Sequence, residues 1–353
     1  MTLTDQRLAH IPVMLDAVLA AINPRDGEIY IDATFGAGGY SRALLQAADC
    51  RVIGLDRDPR AIAAATTQLE AFAGRLSLVE TPFAKMHNAL DTDKAGTIDA
   101  IVFDLGVSSM QLDEADRGFS FRLDGPLSMR MDGLRPDARD VVNCASANDL
   151  RLIFKAYGEE KRAGKLAEAI VTARDDAPIT TTRQLATIIE AASPPAHARG
   201  PSKNRQKSGV RPIHPETRVF QALRIFVNDE LGQLAEALCA AEKLLRPSGR
   251  LVVVTFHSLE ARIVKRFFAD RTTGLETRSR HEPALAVPPA TFTVPSRGQQ
   301  AASRAEADNN PRARSAALRW GVRTQTPPRD TGLAFAGLPM LSFSPDLSTL
   351  RNT

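Results

Sequence analysis

The chain has 353 residues, of which 43% are hydrophobic and 24% charged, an ordinary composition for a globular soluble protein with room for one large or two moderate cores. Lys plus Arg number 45 against 41 Asp plus Glu, and a net charge of +4 allows a nucleic-acid partner without demanding one. The three cysteines, Cys50, Cys144 and Cys239, stand in none of the spacings of zinc sites or disulfide frameworks, which fits a reducing cytoplasm. In chain order, the N-terminus has Asp5 and Arg7 but no cleavable apolar core, and Ile11 to Ile22 is interrupted by Asp16, so neither a signal peptide nor a membrane span is predicted.

Strands are predicted near Ile29–Ala33, Val52–Asp56 and Leu76–Val79, alternating with helices near Ser41–Ala48 and Pro59–Phe72. A further buried strand follows at Asp99–Leu105, bounded by Gly96 and Gly106. This β-then-α rhythm predicts an α/β fold with a parallel sheet. The next apolar strand, Arg250–Phe256, comes about 140 residues later, too far for an ordinary crossover, so something is inserted. The insertion, about 113–212, reads as a small helical domain, with helices at Ala147–Tyr157, Lys161–Ala173 and Thr182–Ala191. One long amphipathic helix then resumes the main fold through Val219, Phe220, Leu223, Val227, Leu231, Leu234 and Leu238, and ends at a turn, Arg246-Pro-Ser-Gly249. A late strand is predicted near Ala316–Val322, and the segment 324–353 as a poorly ordered tail. The expected layout is therefore 1–112, a helical insertion at 113–212, the second part of the main domain at 213–323, and the tail.

The stretch Asp32-Ala-Thr-Phe-Gly-Ala-Gly-Gly-Tyr-Ser41 joins a predicted strand to a predicted helix, and its glycines allow a tight turn and close approach to a ligand. Asp56, 20 residues past Gly36, ends the second strand where a ribose would be held. The spacing lacks the third glycine of the dinucleotide fingerprint and favours a compact adenosyl ligand over a pyrophosphate. A turn without a ligand, and a nicotinamide oxidoreductase on the same loop, are the alternatives. Asp104 ends the fourth strand and should enter the same crevice. After the third strand, Phe83 is placed either against an adenine face or in the core. The connection from Leu105 to Pro126 is rich in small, polar and Gly/Pro residues, suited to a flat polar substrate. An amine on an aromatic base has its lone pair delocalised into the ring, and Asp104 is the group to orient it. The alternative is that Asp104 only caps the following turn.

Seven segments, in order, carry a resemblance: His10-Ile-Pro-Val-Met-Leu, Asp32-Ala-Thr-Phe-Gly-Ala-Gly-Gly, Asp104-Leu-Gly-Val-Ser-Ser, Arg117-Gly-Phe-Ser-Phe, Thr217-Arg-Val-Phe-Gln-Ala-Leu-Arg-Ile, Phe256-His-Ser-Leu-Glu and Asn310-Pro-Arg-Ala-Arg-Ser. Together they closely resemble the ribosomal RNA small-subunit methyltransferase H (MraW) family, over about residues 8–323. The resemblance implies a class I, Rossmann-like, S-adenosylmethionine-dependent methyltransferase sheet with the helical insertion aiding RNA recognition. It implies methylation of the exocyclic N4 of one cytidine in the decoding region of 16S rRNA, within the small ribosomal subunit, by direct transfer. Carried over, the family's cofactor contacts fall on Gly38, Gly39, Tyr40, Asp56, Phe83, Asp104 and Gln111, with Asp104 and Gln111 near the reacting end. Tyr40 stands where the family usually has His, and Ala261 where an acid is usual after Phe256-His-Ser-Leu-Glu260.

For RNA, Arg199, Lys203, Arg205, Lys207 and Arg211 mark a basic loop expected to meet phosphates, the alternative being a solvated linker. Arg218, Gln221 and Arg224 recur every three residues on the polar side of the long helix, facing either RNA or solvent. His257 and Glu260 are expected either to line the crevice or to cap a helix start. No His, Cys and carboxylate grouping in the sequence has metal-ligand spacing, so no metal is expected. Rival readings are an amino-methyltransferase acting on DNA, whose Asp/Asn-Pro-Pro-aromatic loop is here Asp104-Leu-Gly-Val, and a non-catalytic ribosome-assembly binder.

Overall fold

The structure, a computed structural model, describes residues 12–65, 71–72, 74–90, 95–132, 136–193, 214–272, 288–295, 298–330, 332–344 and 347. By internal contacts the chain divides into two compact units, Met1–Gly106 with Leu231–Leu338, and Val107–Glu230 with Pro339–Thr353. No helix among the described residues is long and apolar enough to cross a membrane.

The first unit is built on one sheet. Its strands are β1 (Ile29–Asp32), β2 (Arg51–Asp56), β3 (Leu76–Glu80), β4 (Ile98–Asp104), β5 (Leu245–Thr255), β6 (Phe292–Thr293), β7 (Gln300–Ala301) and β8 (Ala317–Arg323). The spatial order is β3-β2-β1-β4-β5-β8-β6, with β7 also on β8. The pairs from β3 through β5 are parallel and β8 is antiparallel to β5. Consecutive residues of the central strands, such as Tyr30 and Ile31 or Val252 and Val253, are buried, so both faces are covered. One face packs the helices Leu15–Ile22 and Gly39–Ala47 through Val18, Ile22, Leu44 and Leu45. The helix Ser258–Thr272 packs against β5, β6 and β8.

Arg246–Gly249 does not precede β5 as a separate turn. It is looped within the strand: Ile98 pairs with Leu245 and Ala100 with Arg250, and Ser248 takes φ 67° in the loop.

The second unit is helical: Ala138–Cys144, Ala147–Gly158, Ala163–Asp176, Thr182–Ala192 and Pro215–Asn228. Three of these start on reciprocal caps, Asp137 with Asp140, Ser146 with Asp149, and Thr181 with Gln184, which satisfy backbone donors that would otherwise be orphaned. Leu150, Ile153, Phe154, Leu166, Ile170, Leu185, Ile189, Val219 and Leu223 are buried.

The long helix predicted through Leu238 is two helices, Pro215–Asn228 and Glu230–Leu244. Asp229 breaks it with φ 48°, a left-handed conformation that Asp tolerates better than most residues. Asn228 holds the break: its Nδ2 donates to Met129 O at 2.7 Å and its Oδ1 accepts from Met131 N at 3.0 Å. The apolar face of Pro215–Asn228 packs on the helix Ala147–Gly158, so close that a Cβ on Gly158 would lie 2.6 Å from Arg218 O. This helix thus belongs with the helical unit, which extends to Glu230, and the boundary expected near 212 lies too early.

The segment beyond 323 is packed where it is described, unlike the poorly ordered tail expected. Arg329 donates to the carbonyls of Pro288 and Pro289, both at 2.9 Å, and Phe335 packs on Phe267 and on the buried Arg271 guanidinium. In the second unit, Phe343 stacks edge-on against Phe226 and Ser344 N donates to Asp149 at 3.1 Å.

Candidate active site

Strand order reverses between β1 and β4, and in such sheets ligands bind beyond the carboxyl ends of the strands at that point. β1 ends on Asp32, β2 on Asp56 and β4 on Asp104. After β1 the chain turns through Gly36 (φ 52°) and Gly38 (φ 72°) before the helix that starts at Gly39. The turn is pinned from both sides. Gly36 N donates to Asp56 Oδ2 at 2.8 Å, and Ser41 Oγ donates to Asp32 Oδ2 at 2.7 Å. At Gly39 a Cβ would come within 2.3 Å of Pro12 Cγ, so the glycine lets the N-terminal segment lie directly on the loop.

Asp56 spends one oxygen on Gly36 and the other on Asp58 N, at 2.8 Å each. A carboxylate has about four acceptor positions, so two remain for hydroxyl donors such as those of a ribose. Burial raises its pKa, while the two backbone donors pull the other way. Phe83 is half-buried with its ring edge-on to Phe103 at 5.9 Å, which gives it a core contact and leaves part of it exposed.

At Asp104, burial first and then the charges of Asp32 and Glu260 push the carboxyl up to about 8. Its Oδ1 is buried and has no hydrogen-bond partner among the described residues. An orphaned buried oxygen is costly in a finished core, which makes Asp104 a candidate to meet a donor from outside the chain. Asp32 is itself pushed to about 6, mainly by burial. Asp104 N donates to Thr34 Oγ1 at 2.6 Å, so the end of β4 is tied to the turn after β1.

Glu260 is buried, and its Oε2 accepts from Phe256 N at 2.7 Å and His257 N at 3.2 Å. Its Oε1 lies 3.1 Å from His257 Nε2. Glu260 therefore caps the start of the helix Ser258–Thr272, one of the two roles expected of it, and its charge also raises the Asp104 carboxyl.

Comparison with known proteins decides the family. The model of the MraW methylase family matches residues 7–324. The chain belongs to the MraW methylase family. It is also 54% identical to the ribosomal RNA small subunit methyltransferase H of Sinorhizobium fredii and 53% to those of Rhizobium etli and Rhizobium meliloti, in each case over 94% of this chain and 93% of the relative. Among solved structures, an rRNA methylase from Streptococcus thermophilus is 11% identical, with a TM-score of 0.38 over 88% of this chain and 93% of that one, a distance at which the strand order is the better guide to fold. As a MraW methylase the chain is an S-adenosylmethionine-dependent methyltransferase on an α/β sheet.

In this MraW methylase Gly38, Gly39, Asp56, Phe83 and Asp104 all fall on the sheet's carboxyl side. Tyr40 is buried, and its hydroxyl donates to the Val13 carbonyl; burial first, then the charges of Asp104, Asp32 and Glu306, raise its pKa well above the ordinary range. The phenol is thus occupied in holding the N-terminal segment. Gln111 lies in the second unit, where its Oε1 accepts from Ser108 N at 3.0 Å and its N–H meets Ser108 Oγ at 3.3 Å.

Arg218 and Arg224 are engaged within the second unit. Arg218 donates to Glu159 O at 2.8 Å, and Gln221 to Tyr157 O at 3.2 Å, covering carbonyls at the end of the helix Ala147–Gly158. Arg224 grips Glu230 with two bonds of 2.7 and 2.8 Å. The three-residue recurrence marks a helix-packing edge, with both guanidinium groups engaged inside this unit. Arg199, Lys203, Arg205, Lys207 and Arg211, and also His10, lie outside the described residues. Sequence reading passed over Thr34 and the buried Asp32 as partners of the site; both stand in the glycine-loop segment, but their roles need the β1 and β4 strands side by side.

Proposed function

We propose that this enzyme transfers the methyl group of S-adenosylmethionine to the exocyclic N4 of a cytidine in the decoding region of 16S rRNA, presented in the small ribosomal subunit in the cytoplasm. Methylation of small-subunit rRNA follows from membership of the family and from relatives at 51–54% identity that carry that name. The finer reading rests above all on Asp104, an acid at a strand end whose buried Oδ1 awaits a donor.

The residues fit the cofactor. Gly38, Gly39 and the Tyr40 backbone would line its path, Asp56 would accept from the ribose hydroxyls, and Phe83 would lie near the adenine. When bound, the cofactor supplies an electrophilic methyl group on a sulfonium. Asp104 accepts a hydrogen bond from the base amine and turns its lone pair toward that carbon, and a carboxyl near 8 is suited to take up the proton the nitrogen then sheds. The thioether leaves without an acid. Methylation at carbon 5 would instead need a cysteine to add to the ring. Cys50 is buried with its thiol on Leu44 O at 3.4 Å, beside the amino end of β2, and burial pushes it up to about 11.

Tritium transfer from labelled S-adenosylmethionine to small subunits and to duplex DNA, followed by nucleoside analysis, tests this reading. N4-methylcytidine in 16S rRNA is expected. Labelled DNA, 5-methylcytidine, or no transfer to either would refute it.

A further inference from the structure

The segment Asn310-Pro-Arg-Ala-Arg-Ser315 has no part in the cofactor site as described, yet the topology puts it beside that site. β8 is antiparallel to β5, and Thr255 pairs with Ala317. The residues just before Ala317 therefore lie on the carboxyl edge of the parallel strands, the edge that carries the glycine loop and Asp104. A second link confirms the placement. Glu306 accepts from Met14 N at 2.5 Å, and the adjoining Val13 and Pro12 are the residues that meet Tyr40 and Gly39.

The segment is a rigid 3-10 turn over Pro311–Ser315. Asn310 Oδ1 caps Arg312 N at 3.1 Å, Pro311 sets the first dihedral, and Ala313 is fully buried. With Ala313 turned inward, its neighbours Arg312 and Arg314 are left half-buried and exposed respectively. Arg314 makes one long bond, Nε to Ala307 O at 3.4 Å, and no ion pair among the described residues. Arg304, Arg312 and Arg314 outnumber Glu306 and Asp308 here, and Glu306 is engaged with Met14. Two planar guanidinium forks on a capped turn, at the carboxyl edge of the sheet, suit a phosphodiester oxygen pair better than mobile lysines do.

We propose that Arg314, together with Arg312, grips a backbone phosphate of the RNA substrate at the rim of the methyl-transfer crevice. This rests on the reading of the chain as an rRNA methyltransferase. The contact positions the strand and does not choose the base.

The test compares wild type, Arg314→Gln and Arg312→Gln/Arg314→Gln, with small subunits and tritiated S-adenosylmethionine, between about 50 and 200 mM KCl. For the double variant we expect KM for the subunit to rise roughly tenfold and the salt dependence of kcat/KM to flatten by about one to two units of slope, from two phosphate contacts. Arg314→Gln, at an exposed position, should show part of both effects. The turnover at saturating subunit and the calorimetric affinity for S-adenosylmethionine should match wild type. An unchanged KM, or a raised KM with an unchanged salt slope, overturns the phosphate contact, and so does a loss confined to cofactor affinity, which would make the turn a mere support for the glycine loop. If wild type itself fails to label small subunits, the rRNA reading falls and this proposal with it.

Discussion

Thr34 Oγ1 accepts the backbone N–H of Asp104 at 2.6 Å, so the residue that opens the glycine turn also fixes the end of β4. The acid that would orient the substrate amine and the loop that would hold the cofactor are thereby one rigid piece. Thr34→Val keeps the shape and removes the acceptor. Turnover should fall by roughly tenfold, the order expected for a slightly misplaced reacting group, while S-adenosylmethionine affinity changes little. Single-turnover methylation and calorimetry, run on the same preparation, check the split.

Asp104→Asn should trade activity for stability. Its folded carboxyl, at about 8, lies above the unfolded value of 3.8, so the folded state holds the extra proton between those pH values. Stability from this group is full at low pH and is lost as pH rises through that window. The Asn variant escapes the loss. Its Tm should exceed that of wild type above pH 8, by about 2–4 °C for each kcal/mol relieved, and the difference should vanish toward pH 4. Its methyl transfer should drop by about 10²-fold or more. A thermal melting series across pH, with single-turnover rates beside it, decides both halves.

Asp56→Ala removes two proposed ribose contacts and the partner of Gly36 N. Charge-assisted hydrogen bonds are worth about 1.5–3 kcal/mol each, so S-adenosylmethionine affinity should fall at least about tenfold. Calorimetry reading wild-type affinity would remove Asp56 from the site.

Gly39→Ala forces a methyl against Pro12, since the built Cβ lies 2.3 Å from Pro12 Cγ. Overpacking of this kind costs about 1–3 kcal/mol. Both Tm and cofactor affinity should decrease together, because the strain sits in the loop itself, and a variant with a lower Tm but intact affinity would place the loop's contacts elsewhere.

Arg224→Ala should act on folding and leave RNA binding alone. The pair it forms with Glu230 is largely buried, and leaving that carboxylate without its fork should cost about 1–3 kcal/mol. Denaturant melts should show the loss, whereas the salt slope for small-subunit binding should match wild type.

Strand-forming and helix-forming segments were legible from local pattern. The run Asp99–Leu105 became β4 at Ile98–Asp104, and Thr182–Ala191 became the helix Thr182–Ala192 behind its Thr181 cap. The glycine loop, Asp56 and Asp104 were legible because turn chemistry and strand-end acids are read within about twenty residues of sequence. Local pattern misled where a partner from far along the chain decided the outcome. The apolar stripe running through Val227 and Leu231 had no visible break, because the left-handed Asp229 is held by Asn228 bonds to Met129 and Met131. Arg224, expected to face either RNA or solvent, holds Glu230 in its fork, a pairing that the helix break at Asp229 makes possible.

The sequence by itself determined the family, the α/β sheet, the helical insertion and the acids at the strand ends, since each rests on short-range periodicity or on motifs in order. Only the tertiary structure decided which polar groups are already satisfied within the chain and which are not. Tyr40 is spent on Val13 and Arg218 on Glu159, whereas Asp104 keeps a buried oxygen without a partner among the described residues. The physical reason is that a hydrogen bond between residues far apart in the chain depends on the packing of the whole sheet and bundle, and no local pattern of residues encodes it.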